Sequence, residues 1–72
     1  MDEKSQILFM QIRILRIAST RLKLSFKDTA MLFREYDVLP YIREGYGIFH
    51  VEGDDAVYED VKKYLLSKGA AI

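Results

Sequence analysis

The only histidine, His50, is the side chain best suited to acid–base or metal chemistry, because imidazole changes its charge near neutral pH. A catalytic histidine needs an orienting carboxylate and usually a nucleophile, and a zinc site needs several converging ligands. The chain has no cysteine, and none of its serines and threonines lies in a recognised nucleophile motif. We therefore predict that His50 is structural and ties a connecting segment to a helix end. We expect no catalytic residue and no cofactor.

Five carboxylates in residues 52–60 form a second group that could do chemistry, since calcium and magnesium bind carboxylate oxygens. A calcium-binding loop needs acids that alternate around a glycine and a bidentate glutamate at its end. This stretch instead continues directly into a helical pattern. We therefore expect no metal site, and we interpret Asp54 and Asp55 as caps of the helix that follows.

Basic side chains are concentrated in residues 13–27, which contain no acid, whereas residues 52–60 contain no base. Residues 1–36 carry seven basic and four acidic side chains and residues 37–72 carry four and seven, so the halves have charges of +3 and −3. The whole chain is neutral. We predict that the two charged stretches attract each other across the fold, each exposed pair contributing about 0–1 kcal/mol.

Nucleic acid is the other kind of partner that a basic stretch can attract. A helix-turn-helix protein reads bases with a helix whose exposed face offers Arg, Lys, Asn or Gln. The short segment around Arg43 offers one such residue beside Glu44. We therefore do not expect nucleic acid as the partner, and DNA binding by a regulatory protein is kept as the alternative function.

Apolar periodicity predicts an all-α domain over residues 1–72, built as a compact bundle of three long helices and one short helix. The first helix begins near Glu3 or Ser5 and ends around Leu22. A capping-box variant that starts at Ser25 opens the second helix.

Apolar stripes define the second and last helices. On the second, Phe26, Ala30 and Phe33 share one face. Gly69 supplies a left-handed stop after the last helix. The stripe of that helix follows the i, i+4, i+7, i+8 pattern and consists of Val57, Val61, Tyr64 and Leu65.

The sequence pattern in the middle of the chain predicts the short third helix and an extended segment after it. Pro40 suits the first position of a helix, and residues 41–44 can continue it until Gly45 stops it. Residues 46–52 alternate apolar side chains with glycine at their boundaries. We interpret them as an extended connector, and the pattern does not decide whether they form a strand.

The first helix carries more apolar surface than a one-sided helix needs. Its apolar residues fill an arc of roughly 220° at about 100° per residue, whereas a surface helix keeps its stripe near ~100–140°. The second and last helices can cover one long side of this arc. The remaining flank, around Phe9, Ile12 and Arg16, is predicted to contact a partner. The full set of interface candidates is Phe9, Ile12, Arg13, Arg16, Met31, Tyr36 and Tyr58.

A series of motifs along the chain resembles one known family, the bacterial domain of unknown function 3791. The resemblance covers nearly the whole chain and implies no catalytic residue. It implies small proteins of Gram-positive and gut bacteria, often encoded beside or joined to an ADP-ribosyltransferase-like domain. In chain order the motifs are Ile7-Leu8-Phe9-Met10, Ser25, Phe33, Tyr41-Ile42, Tyr46, Phe49-His50, Gly53-Asp54, Asp60, Tyr64-Leu65 and Gly69.

We therefore expect a small non-catalytic interaction domain, the neutralising or accessory partner of a toxin-like enzyme encoded nearby. A homodimer through the first helix would cover the same surface, so self-association is a second alternative. The start Met1-Asp2-Glu3 is acidic where a signal peptide is basic, and Ile7–Ala18 is too short to cross a bilayer. We expect a cytoplasmic protein without membrane contact.

Overall fold

The computed structural model describes residues 2–72, which form four helices and no strand. The helix that begins the fold, α1, contacts all three of the others. The predicted all-α fold is confirmed. In chain order the helices are α1 (Glu3–Leu22), α2 (Phe26–Glu35), α3 (Val38–Phe49) and α4 (Asp54–Ser67).

Side chains cap the first two helices where the sequence predicts their starts. The Asp2 carboxylate accepts a hydrogen bond from the Ser5 backbone N–H at 2.8 Å, and this bond lowers the pKa of Asp2. The Ser25 hydroxyl accepts from the backbone N–H of Asp28 at 3.0 Å. Gly69 has the predicted left-handed backbone, with φ of +89°. Local capping chemistry therefore sets these boundaries.

The predicted short third helix and extended connector are wrong. Helix α3 has 12 residues and reaches Phe49, and the His50 backbone N–H donates to the Tyr46 carbonyl at 2.9 Å. The glycine at position 45 does not stop the helix, because its missing side chain makes room for the Phe49 ring. The buried residues Ile42 and Phe49 are two helical turns apart, so burial favours helix over extended chain. The shortest helix is α2, with 10 residues.

The core lies between α1 and the other helices. On α2 the buried pair is Thr29 and Phe33, whereas Phe26 and Ala30 are exposed, so the predicted face of α2 is right only at Phe33. Thr29 is tolerated there because its hydroxyl donates to the Ser25 carbonyl at 2.7 Å. The buried apolar residues are Met10, Ile14, Ala18, Phe33, Val38, Ile42, Phe49, Val57, Tyr58, Val61, Leu65 and Ala70.

Two tyrosines join the later helices. The Tyr64 hydroxyl on α4 donates to the Tyr36 carbonyl at the end of α2, at 2.6 Å. The Tyr64 ring also stacks on Tyr41 of α3, with 4.1 Å between ring centroids. Burial is the main cause that raises the pKa of Tyr41, and the nearby Asp60 carboxylate adds to it. These contacts join α4 to the end of α2 and to α3, and α1 packs against all three helices.

Candidate interaction surface

Three apolar side chains on α1 point away from the core and form one patch, which we call the α1 strip. Leu8, Phe9 and Ile12 are 53%, 46% and 40% exposed. Ile12 follows Leu8 by four residues and Phe9 by three, so Ile12 is a neighbour of both on the helix surface. On the opposite side of α1, Met10 and Ile14 are buried in the core. The wide apolar arc of this helix is therefore divided between the core and the surface.

The side of α1 next to α4 is held by two ion pairs. Arg13 Nε lies 2.8 Å from Asp54 Oδ2, and Arg21 Nη2 lies 3.1 Å from Asp55 Oδ1. The prediction that the basic and acidic stretches attract each other is confirmed. The prediction that Asp54 or Asp55 caps α4 is wrong, because the cap residue is Gly53 and makes no side-chain hydrogen bond.

Arg16 lies on the outward side of α1 and is exposed. It follows Ile12 by four residues, so it stands one turn beyond the α1 strip on the same face. Its guanidinium makes no ion pair or hydrogen bond among residues 2–72, and Arg16 lines a hollow of about 250 Å³ with Asp55 of α4. The outward face of α1 is thus apolar in its first half and basic in its second half, where it borders α4.

A second apolar surface begins where α3 meets α1. The Gln11 side chain of α1 donates from Nε2 to the Leu39 carbonyl at 2.8 Å, and Leu39 is 41% exposed. Leu39 also lines a hollow of about 380 Å³ between α2 and the start of α3. We call it the α2–α3 hollow, and its lining residues are Ala30, Phe33, Arg34, Asp37, Leu39 and Pro40.

A family model described as "Protein of unknown function (DUF3791)" matches residues 9–68. The chain belongs to this family. The match contains Phe9, Ile12 and Arg16 together with the α2–α3 hollow, whereas Leu8 lies one residue before it. A search of curated proteins and of solved structures finds no match to this chain.

Three of the other predicted interface residues lie elsewhere in this DUF3791 chain. Tyr58 is 2% exposed and belongs to the core, with the Arg21 guanidinium 5.4 Å from its ring centroid, so its prediction as an interface residue is wrong. Burial is also the main cause that raises the pKa of Tyr58. Tyr36 is half-buried against the core. Met31 is exposed, but it lines a different apolar hollow with Leu24 and Ile72.

His50 lies at the end of α3, and its contacts are those of a helix terminus. It caps the C-terminus of α3, and its Nδ1 lies 2.9 Å from the Tyr46 carbonyl, to which it donates a hydrogen bond. Its ring stacks on the Tyr46 ring, whose hydroxyl in turn donates to the Gln6 side chain at 2.9 Å. The His50 side chain therefore contacts α3 itself, one turn earlier, and within residues 2–72 it is linked to α1 only through Tyr46.

Two further observations concern ligands and membranes in this family member. Within residues 2–72, no group of three or more His, Cys, Asp and Glu side chains is arranged to hold a metal ion. Over the same residues, none of the helices combines the length and the apolar character that crossing a bilayer requires. Of the seven predicted interface residues, the α1 strip contains Phe9 and Ile12, and the α2–α3 hollow contains none.

Sequence reasoning missed two residues of this surface, Leu8 and Leu39. Leu8 precedes Ile12 by one helical turn, so a helical projection of α1 already places it beside the predicted flank. Leu39 had no such signal, because its position beside α1 depends on where α3 begins and on the hydrogen bond from Gln11. Tertiary contact, rather than local pattern, brings it to the site.

Proposed function

We propose that this protein is a small non-catalytic interaction domain that binds a protein partner through the α1 strip. The observation that supports this proposal is the exposure of Leu8, Phe9 and Ile12 as neighbours on one helix, next to a core that is closed without them. Clustered exposed apolar residues on a small domain mark surfaces that bind other molecules. Covering each half-exposed side chain would contribute roughly 1 kcal/mol to binding.

The partner that we propose is a toxin-like enzyme encoded nearby, which this bacterial protein would neutralise or assist. The support for that choice is the resemblance to the family and its expected gene neighbourhood. A neutralising protein needs a binding surface and no chemistry of its own. The contacts of His50, which are those of a helix cap, are compatible with this role.

The experiment compares matched aspartate variants for binding to the purified product of the neighbouring gene. Phe9→Asp and Ile12→Asp place a charge in the α1 strip, whereas Leu66→Asp places it on an equally exposed apolar residue of α4. We expect the first two variants to lose the complex by light-scattering mass and the third to retain it. Retention of the complex by all three variants would refute the proposal.

Thermal unfolding of each isolated variant provides the control for folding. We expect all three substitutions to leave the domain folded, because the replaced side chains are exposed. If Phe9→Asp alone unfolds the protein, Phe9 belongs to the core and is not part of the proposed surface. Ile12→Asp then shows separately whether the rest of the strip binds.

Self-association through the same strip is the second candidate function. The supporting observation is again the apolar patch on α1, which a second copy could cover in a symmetric pair. A doubled mass of the purified chain that returns to one copy in Ile12→Asp would establish it. DNA binding is a weaker candidate, because Arg13 and Arg21 are already paired with carboxylates of α4. A mobility shift at low salt is its test.

A further inference from the structure

We propose that a hollow between α3 and α4 binds a basic side chain of a protein partner whose neighbouring residues are apolar. The hollow has a volume of about 450 Å³, and we call it the α3–α4 hollow. Its lining residues are Tyr41, Glu44, Gly45, Ile48, Phe49 and Asp60. The lining contains none of residues 3–22, which form α1, so this second surface is separate from the α1 strip and goes beyond the proposed function.

The two walls of the hollow each carry one carboxylate. On α3, Glu44 follows Tyr41 by three residues and precedes Ile48 by four, so these side chains are neighbours on the helix surface. On α4, Asp60 stands one turn before Tyr64, whose ring stacks on the Tyr41 ring with 4.1 Å between centroids. The stacked rings therefore bring Asp60 to the side of the hollow that faces α3.

The inner end of the hollow is apolar and aromatic. Gly45 has no side chain, and the Phe49 ring occupies the space that a Cβ atom there would need. The Phe49 ring also lies against the Tyr41 ring, with 5.7 Å between centroids. Aromatic rings and carboxylates both attract organic cations, such as the guanidinium of arginine or the ammonium of lysine. The lining therefore suits the apolar stem and the charged end of a basic side chain.

Two apolar side chains extend this surface beyond the hollow. Ile48 is 69% exposed and Val51 is 76% exposed, the largest fractions among the large apolar side chains of residues 2–72. The Val51 backbone N–H donates to the Ile48 carbonyl at 3.3 Å, so the two residues are adjacent at the end of α3. Neighbouring exposed apolar side chains mark binding surfaces. A free amine would leave both of them uncovered, whereas a peptide segment with apolar residues beside its basic side chain would cover them.

The charge of the hollow favours a basic partner. The carboxylates of Glu44 and Asp60 make no ion pair or hydrogen bond within residues 2–72. The lining carries these two negative charges and no positive charge. The bases nearest to them in sequence, Arg43 and Lys63, lie outside the lining and form no ion pair in the part of the chain that the structure describes. A basic side chain in the hollow would pair with carboxylates that the fold leaves unpaired.

The Tyr41 hydroxyl lies in the same negative surroundings. Burial is the main cause that raises its pKa, and the Asp60 carboxylate, Tyr64 and the Glu52 carboxylate add to it in that order. Nucleic acids and anionic lipid surfaces carry negative charge themselves, so this surface would repel them. The charge therefore favours a protein as the source of the basic side chain.

The experiment uses three synthetic peptides of equal length. The first has arginine flanked by leucines, the second replaces the arginine by neutral citrulline, and the third retains the arginine and replaces the leucines by serine. Binding is measured by fluorescence anisotropy, and the contact surface by amide chemical shifts of the protein. We expect the first peptide to bind, more weakly at high salt, with shifts in residues 41–52 and around Asp60. The other two should bind roughly tenfold more weakly.

Matched variants test the role of the two carboxylates. Glu44→Gln combined with Asp60→Asn removes both charges and should weaken binding of the first peptide roughly tenfold, without changing that of the citrulline peptide. The control combines Glu3→Gln with Glu35→Gln, which changes the net charge equally at exposed positions outside the hollow. We expect the control to bind as the wild type does. Thermal unfolding verifies that both double variants are folded.

Three results with the peptides would overturn the inference: no binding of the first peptide, binding equal to that of either of the others, or shifts confined to another face. A wild-type dimer that Ile48→Ser dissociates would also overturn it, because a second copy would then cover the hollow.

Failure of this inference is distinct from failure of the proposed function. Phe9→Asp changes only the α1 strip, so we expect this variant to bind the first peptide as the wild type does. If Phe9→Asp abolishes the complex with the neighbouring gene product while the first peptide does not bind the wild type, the proposed function stands and only this inference fails.

Discussion

The two flanks of α1 differ in whether their arginine side chains form ion pairs within the fold. On the flank next to α4, Arg13 and Arg21 are paired with carboxylates, and Arg21 also covers Tyr58. On the outward flank, the Arg16 guanidinium makes no ion pair within residues 2–72, although Arg16 lines a hollow with Asp55, and it stands one turn beyond the exposed side chain of Ile12. The comparison shows that position around the helix, rather than charge, separates the paired arginines of α1 from the unpaired one.

The largest expected difference between the two sides of α1 is in stability. Ile14 is fully buried and Ile12 is 40% exposed, so the same substitution tests both sides. We expect Ile14→Ala to lower the free energy of unfolding by about 2–5 kcal/mol because it leaves a cavity. Ile12→Ala should change it by about 0.5 kcal/mol or less. Urea denaturation measures both, and similar losses would remove the distinction between core and strip.

The glycines of α3 give a second contrast between an inward and an outward position. A side chain at Gly45 would overlap the buried Phe49 ring, whereas one at Gly47 would meet open space. We expect Gly45→Ala to destabilise the domain by about 1–2 kcal/mol, because the ring must move. Gly47→Ala should stabilise it by about 0.5–1 kcal/mol through helix propensity. Thermal unfolding compares the two, and stabilisation by both variants would show that Phe49 repacks freely.

The smallest expected difference in the free energy of unfolding is between variants of Arg13, which is paired, and of Arg16, which is not. Arg13→Ala removes an exposed ion pair with Asp54 and should lower the free energy of unfolding by about 0.2–1 kcal/mol. The loss should be smaller at high salt, which screens the pair. Arg16→Ala should leave the free energy of unfolding unchanged within about 0.5 kcal/mol. Urea denaturation at low and high salt measures both. A salt-sensitive loss on replacing Arg16 would mean that it is already paired within the fold.

Much of the fold could be predicted because it depends on local signals. The cap at Ser25 and the stop at Gly69 are chemical features of single positions, and the structure has both. The stripe of α4 is regular enough to identify its buried face. These elements required no knowledge of what packs against them.

Helix α3 could not be predicted in the same way. A glycine in a helical pattern usually weakens the helix, and on that ground Gly45 is predicted to end the third helix. The reason that α3 continues is tertiary, since Gly45 accommodates the ring of Phe49. Burial of Ile42 and Phe49 outweighs the cost of two glycines.

The candidate site was predictable on α1 and not beyond it. Phe9, Ile12 and Arg16 follow from the excess width of one apolar arc. Tyr58 was misplaced because it lies at the margin of the α4 stripe, whereas in the fold it is buried with the core and Arg21 lies over its ring. Leu39 enters the surface through a hydrogen bond between distant segments, which no periodicity indicates.

The contact of α1 with all three other helices has a consequence for the lifetime of the chain. A ligand that binds only the folded state shifts the folding equilibrium by mass action, and a domain of 72 residues has little stability in reserve. Because the strip belongs to the helix that every other helix needs, a bound partner would protect the whole chain from proteolysis. We expect the cellular abundance of this protein to follow that of its partner.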